Sequence, residues 1–112
     1  MKIERRKKNG VVILDLKGKI LTGDAITEIR VTINNLVKEN ETKVVLNLAE
    51  VPYLDSTGLG EIVRSFTSIR KIDGMVKILN LTNRVKDLMT ITKLITVFEA
   101  FEDEDQAVAS FG

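Results

Sequence analysis

The chain has 112 residues, of which 44% are hydrophobic and 29% charged, and its formal net charge is +1. This length suits one domain with one core, and a near-neutral charge removes the long-range field on which non-specific nucleic-acid binding depends. No apolar run approaches the ~20 residues that cross a bilayer, and no signal-peptide pattern opens the chain. We therefore expect a cytoplasmic protein without a nucleic-acid or membrane partner.

Two residue types with characteristic chemistry do not occur in the sequence. It contains no cysteine and no histidine. Disulfides, thiolate zinc sites, Ser-His-Asp triads and imidazole metal ligands are therefore excluded. Asp, Glu, Lys and Tyr remain available, but the commonest hydrolytic and metal-dependent mechanisms lose their usual groups. We predict a protein that is not an enzyme and that holds no metal or cofactor.

The first part of the chain predicts a hairpin followed by a helix. Asn-Gly at residues 9–10 is a favoured two-residue turn between two strand-like runs, residues 3–8 and 11–17. The second run is almost continuously hydrophobic, which indicates a strand buried on both faces, whereas the charged first run suits a sheet edge. Helical spacing of apolar residues begins after Thr-Gly-Asp at residues 22–24, and Asn40 can close that helix.

The rest of the chain alternates strand and helix patterns. Strand-like runs recur at residues 44–48 and 76–81, and a helical pattern runs between them through residues 59–69. Thr82 can cap a third helix, and a short strand is expected at residues 96–98. A terminal helix completes the chain.

The predicted order of elements is ββαβαβαβα. This alternation favours a single α/β domain over residues 1–112, with a mixed β-sheet and helices packed on it. Phe98, Phe101 and Phe111 are predicted to lie in the core, because aromatic side chains dominate burial.

Two charged clusters lie near the ends of the chain. Five basic residues between positions 2 and 8 are expected to face water along an edge strand. Five acidic residues occur within positions 99–105, but they lack the turn glycine and the fixed ligand spacing of a calcium loop. Neither cluster predicts a ligand site.

The segment with the most chemical content is residues 51–60, Val-Pro-Tyr-Leu-Asp-Ser-Thr-Gly-Leu-Gly, between a buried strand and an amphipathic helix. Unpaired N–H groups at a helix N-terminus can hold an added phosphate, and Gly58 and Gly60 would let a partner backbone approach closely. A simpler interpretation is that the Asp, Ser and Thr cap the helix while the glycines allow tight packing. Two glycines in one turn cost about 1 kcal/mol each relative to Ala, so some compensation is expected.

The string Leu-Asp-Ser-Thr-Gly-Leu-Gly at residues 54–60 resembles the phosphorylation loop of bacterial anti-sigma factor antagonists, whose fold is the STAS domain. The resemblance extends over nearly the whole chain. It includes the opening hairpin, the Gly-Asp pair at residues 23–24 and the strand at residues 44–48.

The resemblance implies roles for five residues. Ser56 matches the phosphorylated serine, although the sequence leaves Thr57 open as an acceptor. Asp55, Thr57 and Gly58 match the immediate surroundings of that serine. Asp24 matches an acidic position on the partner-facing surface, so Asp24, Asp55, Thr57 and Gly58 are the expected partner-binding residues.

The resemblance also implies a partner-switching cycle. The unphosphorylated antagonist binds an anti-sigma factor that is also a serine/threonine kinase, and this binding frees the sigma factor. The kinase then uses ATP to phosphorylate the antagonist, and the pair separates. A PP2C-type phosphatase removes the phosphate. ATP and metal belong to these partners and not to this chain.

Two other functions remain open. A STAS subunit of another assembly, such as a lipid-transport complex or a stress-signalling scaffold, would bind its partner constitutively; the retained acceptor string favours the antagonist instead. An enzyme or small-molecule binder could use Asp24 and Asp55 as paired carboxylates. The absence of His, Cys and a phosphate-cradling Gly-rich loop with Lys disfavours this third function.

Overall fold

Strands and helices follow the hydrophobic patterning along the chain, and the computed structural model describes residues 1–112. Five strands and four α-helices form, with a short 3-10 helix before the last strand. In chain order they are β1 (Lys2–Lys8), β2 (Val11–Lys17), α1 (Asp24–Lys38), β3 (Lys43–Glu50), α2 (Ser56–Arg70), β4 (Met75–Leu79), α3 (Asn83–Ile91), the 3-10 helix (Leu94–Thr96), β5 (Ala100–Phe101) and α4 (Glu104–Ala109). The predicted order ββαβαβαβα is confirmed.

The strands lie in the sheet in the order of the sequence, β1-β2-β3-β4-β5. β1 and β2 are antiparallel and joined by Asn9 and Gly10, whose φ angles are 51° and 81°. Both residues thus occupy the left-handed region that this tight turn requires. The other pairs are parallel, so the sheet is mixed and β1 is an edge strand, as predicted.

Helices α1, α2 and α3 cover one face of the sheet. Their apolar sides join β2, β3 and β4 in a core cluster of 20 buried residues. Each helix follows the carboxyl end of a parallel strand, so the three helix N-termini lie along the same edge of the sheet. We call this the carboxyl edge. Since α2 connects β3 to β4, it lies between α1 and α3. None of the helices combines the length and the hydropathy that a bilayer-spanning segment requires.

Helix α4 packs on the opposite face of the sheet, over a second cluster of six buried residues. Lys77 in β4 fixes the chain that follows this helix. Its ammonium group is almost buried and donates to the carbonyl oxygen (3.1 Å) and hydroxyl (2.9 Å) of Ser110. It also lies 4.6 Å from the ring centroid of Phe111. The C-terminal turn is therefore held by one buried cation.

The prediction of a strand at residues 96–98 is wrong. These residues end the 3-10 helix and form a turn, and β5 comes later and pairs through only two residues. Phe98 instead enters the core, where its ring meets that of Phe66 edge to face with centroids 5.3 Å apart. A short apolar run does not reveal whether it is buried by sheet pairing or by side-chain packing.

The start of α3 differs from the prediction in its hydrogen bonding. β4 ends at Leu79, and Asn80 takes a positive φ of 59°. Thr82 occupies the N-cap position, but its hydroxyl donates to the carbonyl oxygen of Val51 (3.0 Å) and does not cap the helix. Thr82 therefore ties the start of α3 to the loop that precedes α2.

The basic residues of β1 are half-exposed, and most of them pair with acids of other elements. Arg5 pairs with Glu39 (2.7 Å), and Arg6 pairs with Asp15 of β2 (2.7 Å) and with Glu104 of α4. These ion pairs join the edge strand to both faces of the sheet. The cluster is therefore a structural network, not only a solvated edge.

Candidate functional site

The loop before α2 is bound along its length to the loop that follows β2. The N–H of Ile20 donates to the carbonyl oxygen of Tyr53 (3.1 Å), and the N–H of Asp55 donates to the carbonyl oxygen of Ile20 (3.3 Å). Ile20 and Leu54 form a short parallel bridge, and both are fully buried. These contacts fix two neighbouring loops of the carboxyl edge as one unit.

Asp55 uses both carboxylate oxygens within the domain. One oxygen accepts a hydrogen bond from the N–H of Gly58 (2.8 Å), which makes Asp55 the N-cap of α2. The other accepts from the N–H of Thr22 (3.4 Å), just before α1. The capping interpretation is therefore confirmed for Asp55, and such caps contribute about 1 kcal/mol. The same side chain sets the first turn of α2 against the segment that precedes α1.

Ser56 is the first residue of α2 and is exposed. Because Asp55 caps the helix, the Ser56 hydroxyl is not needed to begin it and is accessible to another protein. Thr57 is exposed as well. The free N–H groups and the dipole of a helix N-terminus favour negative charge at this position.

Gly58 is required for packing within the domain, and its expected contact with a partner stays a prediction. Gly58 is buried, and a Cβ atom at this position would overlap the carbonyl oxygen of Ile20. The missing side chain is therefore required by contact within the domain. Gly60 is exposed, and a Cβ atom there would meet no atom of another element within 4 Å, so the open glycine is the second one. The packing contact at Gly58 explains the first of the two glycines, whereas no contact within the domain requires the second.

Asp24 is the first residue of α1 and is exposed. The hydrogen bond between Thr22 and Asp55 holds the start of α1 beside the first turn of α2. The structure thus places Asp24, Asp55, Ser56 and Thr57 on one edge of the molecule. Asp24 and Asp55 do not act as a free carboxylate pair, because Asp55 is committed to two backbone N–H groups.

A buried carboxylate follows Gly60 and was not predicted. The side chain of Glu61 is 2% exposed and accepts a hydrogen bond from Arg30 of α1 (2.8 Å). The guanidinium of Arg64 lies 3.6 Å from its other oxygen. This pairing joins α1 to α2 near the Ser56 turn. The sequence did contain a signal for this buried carboxylate. Glu61 stands beside apolar residues of the helix, at a position where packing against α1 would otherwise favour a hydrophobic side chain.

A stacked pair also lies beside the site and was not predicted. Arg84, in the first turn of α3, places its guanidinium carbon 4.4 Å from the ring centroid of Tyr53. Tyr53 is the one tyrosine of the chain and precedes Asp55 by two residues. Its place in the loop was visible in the sequence, but its partner from α3 was not.

The sequence pattern of the STAS domain matches residues 2–107. The chain belongs to the STAS domain family. Among curated STAS relatives, it is 24% identical over 111 residues to a Bordetella bronchiseptica protein provisionally named anti-sigma factor antagonist BtrV, covering 99% of this chain and 95% of that protein. It is 40% identical over 52 residues to the anti-sigma-B factor antagonist of Bacillus subtilis, covering 46% of this chain and 48% of that protein.

Solved structures show the same STAS fold. The crystal structure of a candidate anti-sigma factor antagonist from Thermotoga maritima has a TM-score of 0.89, with 20% identity over 96% of this chain and 92% of that one. The Bacillus cell fate determinant SpoIIAA in its phosphorylated form has a TM-score of 0.76, with 17% identity over 99% of this chain and 100% of that one. At these identities the likeness establishes the fold.

Proposed function

We propose that this STAS domain is an anti-sigma factor antagonist controlled by phosphorylation of Ser56. In its unphosphorylated form it binds an anti-sigma factor that is a serine/threonine kinase, and this frees the sigma factor. The observation that carries the proposal is the exposed Ser56 hydroxyl at the first turn of α2, in a turn that Asp55 already caps. The names of the relatives and the phosphorylated fold neighbour support it.

The proposed contact surface is the part of the carboxyl edge around Ser56. Asp24 and Thr57 are exposed there and offer a carboxylate and a hydroxyl to the partner, and Gly60 leaves room for its backbone. Asp55 acts through positioning, because each of its carboxylate oxygens already accepts a hydrogen bond from within the domain. Gly58 supports this surface through its close packing against Ile20.

Phosphorylation breaks the complex at the interface in this proposal. A phosphate on Ser56 adds about −1.5 to −2 charges, and the N-terminus of α2 tolerates them. When a partner docks, however, the phosphate must lose its water on the same edge of the molecule as the negative charge of Asp24, and this opposes binding. Reversing a complex from mostly bound to mostly free takes about 5.5 kcal/mol, and an unpaired charge buried at an interface costs several kcal/mol.

The remaining steps of the cycle belong to other proteins. The kinase supplies ATP, and a PP2C-type phosphatase with its metal ions restores the free Ser56 hydroxyl. The chain itself works in the cytoplasm as a regulator and not as an enzyme. Its contribution is a surface whose charge changes.

The test is phosphorylation and binding with the anti-sigma factor kinase encoded in the same genome. With ATP, intact-mass measurement should show one added phosphate on the wild type and on the control variant Thr57→Ala, and none on Ser56→Ala. By calorimetry, Ser56→Ala should bind persistently, and Ser56→Asp and the phosphorylated protein should bind weakly.

Two results would contradict the proposal. If the Ser56→Ala variant still gains a phosphate, Ser56 is not the acceptor. Equal affinity for Ser56→Ala and for the phosphorylated protein would indicate a STAS subunit that binds its partner constitutively.

A further inference from the structure

Arg84 is an exposed cation without an acidic partner in the chain. Four of the other arginines pair with carboxylates: Arg5 with Glu39, Arg6 with Asp15, and both Arg30 and Arg64 with Glu61. Arg84 instead rests on the ring of Tyr53, with its guanidinium carbon 4.4 Å from the centroid. Its positive charge therefore remains available to another molecule.

The topology of the sheet places this charge beside the Ser56 turn. α3 begins at the carboxyl edge next to α2, and the Thr82 hydroxyl binds the carbonyl oxygen of Val51 at 3.0 Å, which ties α3 to the loop before α2. Ser56 follows Tyr53 by three residues, which span at most about 11 Å. Arg84 therefore lies at the α3 side of the turn.

Stacking on Tyr53 preorganises the guanidinium. An arginine held over an aromatic ring through its guanidinium carbon still has N–H groups that are not used in this contact, and these match the two oxygens of a carboxylate. Restricting the side chain before binding also lowers the entropy that is lost when a partner docks. An exposed arginine fixed in this way is suited to contact with an acidic group.

The charges on the two sides of Ser56 are opposite. Asp24 at the start of α1 is negative, and Arg84 at the start of α3 is positive, with the first turn of α2 between them. A partner that presents a cation to Asp24 and a carboxylate to Arg84 fits in one orientation, and the reversed orientation opposes like charges on both sides. The pair therefore defines the direction of docking.

We propose that Arg84, held on Tyr53, is a second anchor of the partner interface and binds an Asp or Glu side chain of the anti-sigma factor. This inference rests on the proposed function, since it names the chemistry of the partner at the same site. Arg84 contributes to binding and orientation, whereas Ser56 supplies the switch.

The test compares Arg84→Gln with Lys86→Gln, a matched loss of charge two residues further along α3 at another exposed position. Binding to the anti-sigma factor kinase of the same genome is measured by calorimetry, and association rates are measured at several salt concentrations. Arg84→Gln should bind about tenfold more weakly, as is typical of an arginine that anchors an interface, and its association should depend less on salt. Lys86→Gln should change the affinity less than about twofold.

The stacking is tested with Tyr53. Tyr53→Phe keeps the ring and should bind like the wild type, whereas Tyr53→Leu should weaken binding in the same direction as Arg84→Gln. Arg84→Lys should be intermediate, because lysine keeps the charge but lacks the planar fork. Melting temperatures near that of the wild type should accompany all of these variants except Tyr53→Leu, whose folded fraction is checked separately.

Equal affinities of Arg84→Gln and Lys86→Gln would overturn the proposal while leaving the Ser56 switch intact. A second result would also overturn it: unphosphorylated Arg84→Gln binds the kinase with normal affinity, but the phosphorylated variant is released only partly from the kinase. Arg84 would then act on the phosphate of Ser56 and not on an acidic group of the partner. Failure of the wild type to bind the kinase would remove the proposed function and this inference together.

Discussion

Gly58 lies against the backbone of Ile20, whereas Gly60, two residues further along α2, faces open space. Gly58→Ala should therefore lower the free energy of unfolding by about 1–3 kcal/mol, since the added methyl group displaces packed backbone. Gly60→Ala should raise it by about 0.5–1 kcal/mol, because alanine favours the helix. Urea unfolding of the two variants measures both values. A Gly58→Ala variant that is more stable than Gly60→Ala would show that the contact between Gly58 and Ile20 does not constrain the fold.

The two glycines also show what sequence can predict about single residues. The loop string indicated that Ser56 lies at a helix N-terminus and that Asp55 can cap that helix, because both features depend on neighbours within three residues. It did not distinguish Gly58 from Gly60, because the atom that excludes a side chain at Gly58 belongs to a distant part of the chain. Arg84 and Glu61 were missed for the same reason, since their partners are supplied by packing between elements.

At the scale of elements, Arg6 connects β1 to β2 and α4. Its guanidinium holds the pKa of the Asp15 and Glu104 carboxyls below their usual range, chiefly through hydrogen bonds. The unfolded chain therefore binds more protons than the native state as the pH falls. The stabilisation is complete above about pH 5 and is lost as the pH falls through about 4 and below.

Arg6→Gln should consequently flatten the acid side of the stability profile. The measurement is urea unfolding between pH 3 and pH 7, with Lys19→Gln as a control for the loss of one exposed charge. We expect the wild type and the control to lose stability more steeply below pH 5 than Arg6→Gln does. Parallel profiles for all three proteins would show that the pairing of Arg6 is not coupled to folding.

Elements with strong local signals were predicted well. The Asn-Gly turn, the buried strands β2 and β3 and the helices α1 and α2 each carry a pattern that is complete within the element. β5 was misplaced because two residues carry almost no pattern, and its pairing with β4 depends on where the preceding chain packs. Phe98, part of the predicted strand, was correctly expected in the core.

For the whole molecule, we expect phosphorylation of Ser56 to leave the fold unchanged. The serine is exposed at the carboxyl edge, while the main core lies between the sheet and the three helices. A phosphate at a helix N-terminus stabilises by about 0.3–1 kcal/mol, so the melting temperature should shift by less than about 5 °C. Circular dichroism of the phosphorylated and unphosphorylated proteins provides the comparison. A large fall in melting temperature would place the switch in the fold and not at the interface.

The sequential order of the strands has a consequence for synthesis on the ribosome. Each strand pairs with the one made just before it, so the sheet can grow at one edge as the chain emerges. Helix α4 is made after all five strands, and until it docks, the apolar face formed by Val11, Ile13, Val45 and Leu79 has no cover. Loss of α4 docking therefore leaves one face of an otherwise complete sheet apolar and exposed, and this face is where we expect a chaperone to bind the unassembled chain.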